Sequence, residues 1–130
     1  MGACPHRSYI GNKRMSHYDD LPVYKASYDL VLAVFQFTKN FNKEYKYTVG
    51  EKLKNEMIDL VILIYRANSR ESKFEVLQEA RERMEVIRLL IRIMKDLQQI
   101  SLKQFVNINK RVENVSKQLT GWQKKHRINE

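Results

Sequence analysis

Two sets of cations recur at helical spacing in this sequence, and both suit the chemistry of phosphate binding. Arg81, Arg88, Arg92 and Lys95 fall within about 30° of one line when the segment is projected as a helix. Lys103, Lys110, Lys117 and Lys124 recur every seven residues, so one helix edge is lysine from end to end. Basic side chains on such lines neutralise phosphates and displace condensed counterions. Solvated helix-surface pairing is the plainer account of some of them. Glu85 is within reach of Arg81 and Arg88, and Glu79 and Glu82 of Arg83. For Arg88, Arg92 and Lys95 that account is weaker. Taken as a group they have Asp96 as the only nearby acid, and the three read as unneutralised by their own helix.

Other chemistry is thinly represented. His6, His17 and His126 are scattered, and Cys4-Pro-His6 is a weak metal-ligand signal. There is no Glu-x-x-His pair of the kind that builds a carboxylate di-metal bundle. No P-loop, dinucleotide fingerprint or nucleophile elbow occurs. The reading is a non-enzyme with no catalytic residues, no metal and no cofactor.

The formal net charge of +9 favours an anionic partner, nucleic acid or acidic protein ahead of a membrane surface. The excess is concentrated late, with seven basic residues against Glu113 and Glu130 from Ser101 onward. The longest apolar run without a charge, Leu60–Tyr65, is far short of the roughly 20 residues that a membrane span needs. A lone cysteine, Cys4, has no partner for an intrachain bridge, and no apolar signal region opens the chain. The expected location is cytoplasmic, with no membrane association.

Those cations need elements to carry them, and the chain is built for helices. It holds only two prolines and four glycines in 130 residues, too few for a turn-rich β architecture. Thr48-Val-Gly-Glu51, Ser72-Lys-Phe-Glu75 and Ser101-Leu-Lys-Gln104 have the form of capping boxes. A fourth start lies at Asp19-Asp20-Leu21-Pro22, an N-cap acid ahead of a first-turn proline. Each start opens an apolar stripe with spacings of three and four. The stripes run from Val23 to Phe41, Leu53 to Ala67, Leu77 to Met94 and Phe105 to Trp122. Short connections imply antiparallel neighbours. The expected fold is all-α, an antiparallel up-down-up-down four-helix bundle over residues 18–126. Residues 1–17 form a flexible N-terminal extension in this reading, with Met15 a candidate natural start, and 127–130 a tail.

The third helix carries a second apolar face. Val86, Leu90, Ile93 and Leu97 project between about 120° and 180° from Arg81, away from the seam. The second helix is apolar nearly all round from Met57 to Tyr65, with Ile58, Val61 and Ile62 outside its stripe. Exposed apolar surface of this kind marks a protein–protein contact. These seven residues are the expected interface of a homo-oligomer.

Four stretches also carry a family resemblance: DDLPVYKASYDLVLAVFQFTKNF, EYKYTVGEKLKNEMIDLVILIYRAN, LQEARERMEVIRLLIRIMKDL and QISLKQFVNINKRVENVSKQLTGW. Together they resemble the Avd family, the accessory variability determinants of diversity-generating retroelements. That family is related to the bundle proteins encoded in intervening sequences of ribosomal RNA genes. The resemblance covers Tyr18 to about Trp122. It implies a homopentameric ring that binds the retroelement's reverse transcriptase and its template RNA or cDNA, as a non-catalytic partner in mutagenic retrohoming. The family's basic residues on the third helix match Arg88 and Arg92. Lys95 and the fourth-helix lysines rest on their spacing alone. The alternative is a stand-alone bundle of the intervening-sequence type, a protein interaction module with only non-specific nucleic-acid binding.

Overall fold

Pro22 is the first residue of a 17-residue helix, where its locked φ suits the first turn and its missing N–H costs nothing. This helix is α1 (Pro22–Thr38) of a computed structural model that describes residues 21–127. After it come α2 (Lys43–Lys46), a single turn, then α3 (Val49–Ser69), α4 (Phe74–Asp96) and α5 (Leu102–Lys125). Among the described residues there is no strand. The four long helices close a cycle: α1 packs on α3 and α5, and α4 packs on α3 and α5. The expected second, third and fourth helices are therefore α3, α4 and α5. The extension 1–17, Met15, the Asp19-Asp20 acids and residues 128–130 lie outside the described residues.

The apolar stripes meet inside the cycle as their spacing implies. Leu30, Leu53, Leu60, Ile64, Leu77, Ile87, Ile91 and Leu119 are all wholly buried. Phe37, Phe105 and Trp122, at or near stripe ends, are half-buried against this core. Gly50 is needed where α3 begins: a Cβ there would stand 3.0 Å from the Tyr45 carbonyl oxygen and 3.3 Å from the Phe41 ring.

Of the three expected capping boxes, the one at Ser101 forms in full. The Ser101 hydroxyl accepts from the Gln104 N–H at 3.1 Å, and the Gln104 side chain accepts from the Ser101 N–H at 2.8 Å. Thr48 does sit at the N-cap of α3, but its hydroxyl donates to the Glu44 carbonyl at 2.7 Å. The unforeseen turn α2 puts that acceptor within reach, and the local bond wins. α4 begins at Phe74 with Lys73 at its N-cap, one residue later than the Ser72 box requires. There the Lys73 ammonium donates to the Ala67 and Asn68 carbonyls at 2.8 and 3.4 Å, closing the open end of α3. α1 is also entered without a side-chain cap, from Leu21 rather than an acid.

The end of α4 shows a different economy. Gln99 N–H donates to the Met94 carbonyl and Gln98 N–H to the Lys95 carbonyl, both at 2.9 Å, which is the Schellman pattern. Its left-handed position is Gln98, with φ of 63°. A side chain in that region costs about 1–2 kcal/mol, against about 0.5–1 kcal/mol of extra freedom that glycine loses on folding. Gln98→Gly is thus expected to stabilise the bundle by about 0.5–1 kcal/mol, read as a rise of a few degrees in thermal midpoint. A fall in midpoint would contradict it. Gln99 also accepts from the Asn42 N–H at 2.8 Å, tying the entry of α2 to the end of α4.

Candidate functional site

The basic lines lie on neighbouring faces of α4 and α5, and the cross-helix contacts fix which residues are level. Gln123, late in α5, donates to the Phe74 carbonyl and to Gln78, both early in α4. Arg81 donates to Gln123 Oε1 at 2.6 Å. Arg88 meets Glu113 and Ser116, and the Lys95 ammonium sits 5.2 Å above the Phe105 ring. Arg81, Arg88 and Lys95 therefore point along the α4–α5 seam, with the cationic tips at its outer edge.

This geometry corrects the expectation that Arg88 and Arg92 are unneutralised, whereas Lys95 faces no acid among the described residues. Arg88 is held by Glu85 of its own helix at 3.4 Å, by Glu113 of α5, and by the Ser116 hydroxyl at 3.0 Å. Arg92 pairs with Asp96, one turn on, at 3.4 Å. Lys95 is engaged by an aromatic face. For Arg88 burial explains the difference: a guanidinium at the rim of a helix–helix seam loses water, so an acid on the adjoining helix becomes its replacement partner. Projection of one helix cannot show that partner.

The lysine edge of α5 is the opposite case. Among the described residues, the side chains of Lys103, Lys110, Lys117 and Lys124 make no ion pair or hydrogen bond, and all four are exposed. Lys110 and Lys117 line a groove with Val106, Asn109, Glu113 and Asn114. Lys103 and Lys110 line another beside Leu102 and Val106. The α4–α5 strip thus carries the eight cations picked out by spacing against three acids, Glu85, Asp96 and Glu113. Among the described residues, its cations without an acid partner are the four lysines of α5 together with Arg81, bonded to Gln123, and Lys95, over Phe105.

Arg83 is a fixed strut elsewhere. It spans α3 and α4, with Nη1 at 2.8 Å from Glu56 and 3.4 Å from Asp59, and Nη2 at 3.7 Å from Glu79. Gln123 is a residue that sequence reasoning missed. It is 3% exposed and satisfied by Arg81, Gln78 and the Phe74 carbonyl. Its signal was its four-residue step from Leu119 along the buried stripe.

The second apolar face needs one correction. Leu90 is 8% exposed and belongs to the core of its own bundle. Packing on two neighbours widens the buried arc of α4 beyond its central stripe, and Leu90 falls inside it. Val86, Ile58 and Ile62 are exposed as expected, and Val61, Ile93 and Leu97 are half-buried. Leu89, at 59%, is more open than any of them. Tyr28 and Leu32 on α1 and Tyr65 on α3 are exposed too, so the apolar surface extends onto α1.

A family model described as bAvd-like matches residues 22–126. The chain belongs to the bAvd-like family. The matched span runs from the first residue of α1 to the C-cap of α5, so membership covers the whole helical cycle and the α4–α5 strip. No curated protein matches the chain. This bAvd-like protein is accordingly of the Avd accessory type. Among its described residues no group of three or more His, Cys, Asp or Glu is placed to hold a metal ion. No helix among them is long and apolar enough to cross a membrane.

Proposed function

We propose that this bAvd-like protein is a non-catalytic, cytoplasmic accessory subunit of a diversity-generating retroelement. In this reading it binds the reverse transcriptase and its template RNA or cDNA along the α4–α5 strip. The bundle runs up-down-up-down and assembles into a homo-oligomeric ring, a pentamer by family resemblance. The observation that carries the binding role is the unpaired lysine edge of α5, set beside the α4 cations in a chain of this family. Support for the topology comes from the cross-helix pairs, in which late α5 residues meet early α4 residues. Exposed Ile58, Ile62, Val86 and Leu89 support assembly.

One competition experiment tests the binding role. Purified protein is expected to bind template RNA, and that RNA is expected to outcompete an unrelated RNA of equal length. Equal competition would favour the interaction-module reading, in which only bulk charge touches RNA. The pairing of Arg88 and Arg92 with acids is the observation on that side. Light scattering tests the ring, and a monomer at micromolar concentration would overturn it.

A further inference from the structure

Glu113 is the sole carboxylate between Ser101 and Arg127, and it stands among the lysines of α5. Lys110 lies three residues before it and Lys117 four residues after, so both are its neighbours on the helix surface. All three line one groove with Asn109 and Asn114. Its partner is nevertheless Arg88, reaching across from α4.

The Arg88 guanidinium directs Nη1 at the Glu113 carboxylate and Nη2 at the Ser116 hydroxyl, the latter at 3.0 Å. Its Nε faces Glu85 at 3.4 Å. A planar guanidinium fork matches the paired oxygens of a carboxylate or a phosphate. The Glu113 carboxylate, at Nη1 alone, occupies a place that one oxyanion of a phosphate would take. Around it stand the Ser116 hydroxyl, which can donate its own proton, and Lys110 and Lys117, with the exposed Glu85 carboxylate remaining on the Nε side.

We propose that Glu113 is a resident competitor for Arg88, so that a phosphodiester is held by Arg88, Ser116, Lys110 and Lys117 only after displacing its carboxylate. The proposal rests on the reading of the α4–α5 strip as a nucleic-acid surface, and it assigns that surface a built-in brake. The lysine edge makes the first, exchangeable contacts. Arg88 is released only to a backbone that seats well enough to replace Glu113. A negative group inside a positive site lowers affinity for every polyanion and leaves a larger share of it to fit.

The test is Glu113→Gln, which keeps the shape and removes the charge. The probe is a fluorescein-labelled single-stranded RNA of about 30 nucleotides and mixed sequence, titrated by anisotropy across a salt series. Binding is expected to tighten about fivefold to tenfold near 0.1 M salt, with the log–log salt slope steeper by about 0.7, the signature of one added phosphate contact on a single strand. Adding Arg88→Ala is expected to abolish that gain. Glu71→Gln makes the same change in net charge on the exposed α3–α4 connection, and is expected to alter affinity less than twofold. Equal tightening by Glu71→Gln would reduce the effect to bulk charge and overturn the competitor. Unchanged or weaker binding by Glu113→Gln, with wild-type binding intact, would overturn it while sparing the nucleic-acid reading. Absence of binding by wild type and all variants would overturn both.

Discussion

Replacing Lys103, Lys110, Lys117 and Lys124 together by Gln is expected to weaken RNA binding on the order of a hundredfold or more near 0.1 M salt. Each lysine that touches a phosphate of a single strand contributes about 0.7 to the log–log salt slope, so four such contacts flatten it by about 3. The measurement is anisotropy between 50 and 200 mM salt, with circular dichroism to check the fold. All four side chains are exposed and carry no internal bond among the described residues, so their loss leaves the core untouched. A variant that binds as wild type does would remove α5 from the interface. Reversing charge at Arg88 is a poorer test. Arg88→Glu would place a third carboxylate beside Glu85 and Glu113 and disturb the α4–α5 seam itself.

Leu60→Ala carries the largest expected effect on stability, a loss of about 3 kcal/mol from transfer and cavity terms together. Leu60 is wholly buried and lies mid-way along α3, which packs on both α1 and α4. A loss of that size is a large share of the roughly 5–15 kcal/mol that holds an ordinary domain folded. The thermal midpoint is expected to drop by about 10 °C or more. A drop of only a degree or two would mean that the cycle collapses around the gap, and that the four-stripe core is looser than its burial implies.

The two sites differ in how far local sequence alone determines them. The core was legible because helical periodicity repeats a simple physical demand: a stripe that must leave water. Leu53, Met57, Leu60, Ile64 and Ala67 satisfy that demand with no reference to another helix. Caps were less legible. Thr48 has the residue type of a box, yet α2 offered its hydroxyl a competing local bond that spacing does not reveal, and α4 begins one residue later than the Ser72 box requires. Leu90 failed for a related reason, since a neighbouring helix decides how wide the buried arc becomes.

Sequence by itself determined the helical class, the four apolar stripes, the family and the positions of both basic lines, because each is a property of one helix or of local composition. Tertiary structure alone decided which cations are occupied by groups of another helix. Arg88 and the lysines of α5 look alike as charges in a row, but only the packing of α4 on α5 brings Glu113 and Ser116 to the arginine and leaves Lys110 and Lys117 exposed. The ion pair to Glu113 and the hydrogen bond to Ser116 act over a few ångströms between residues 25 and 28 positions apart, and that distance is set by the fold.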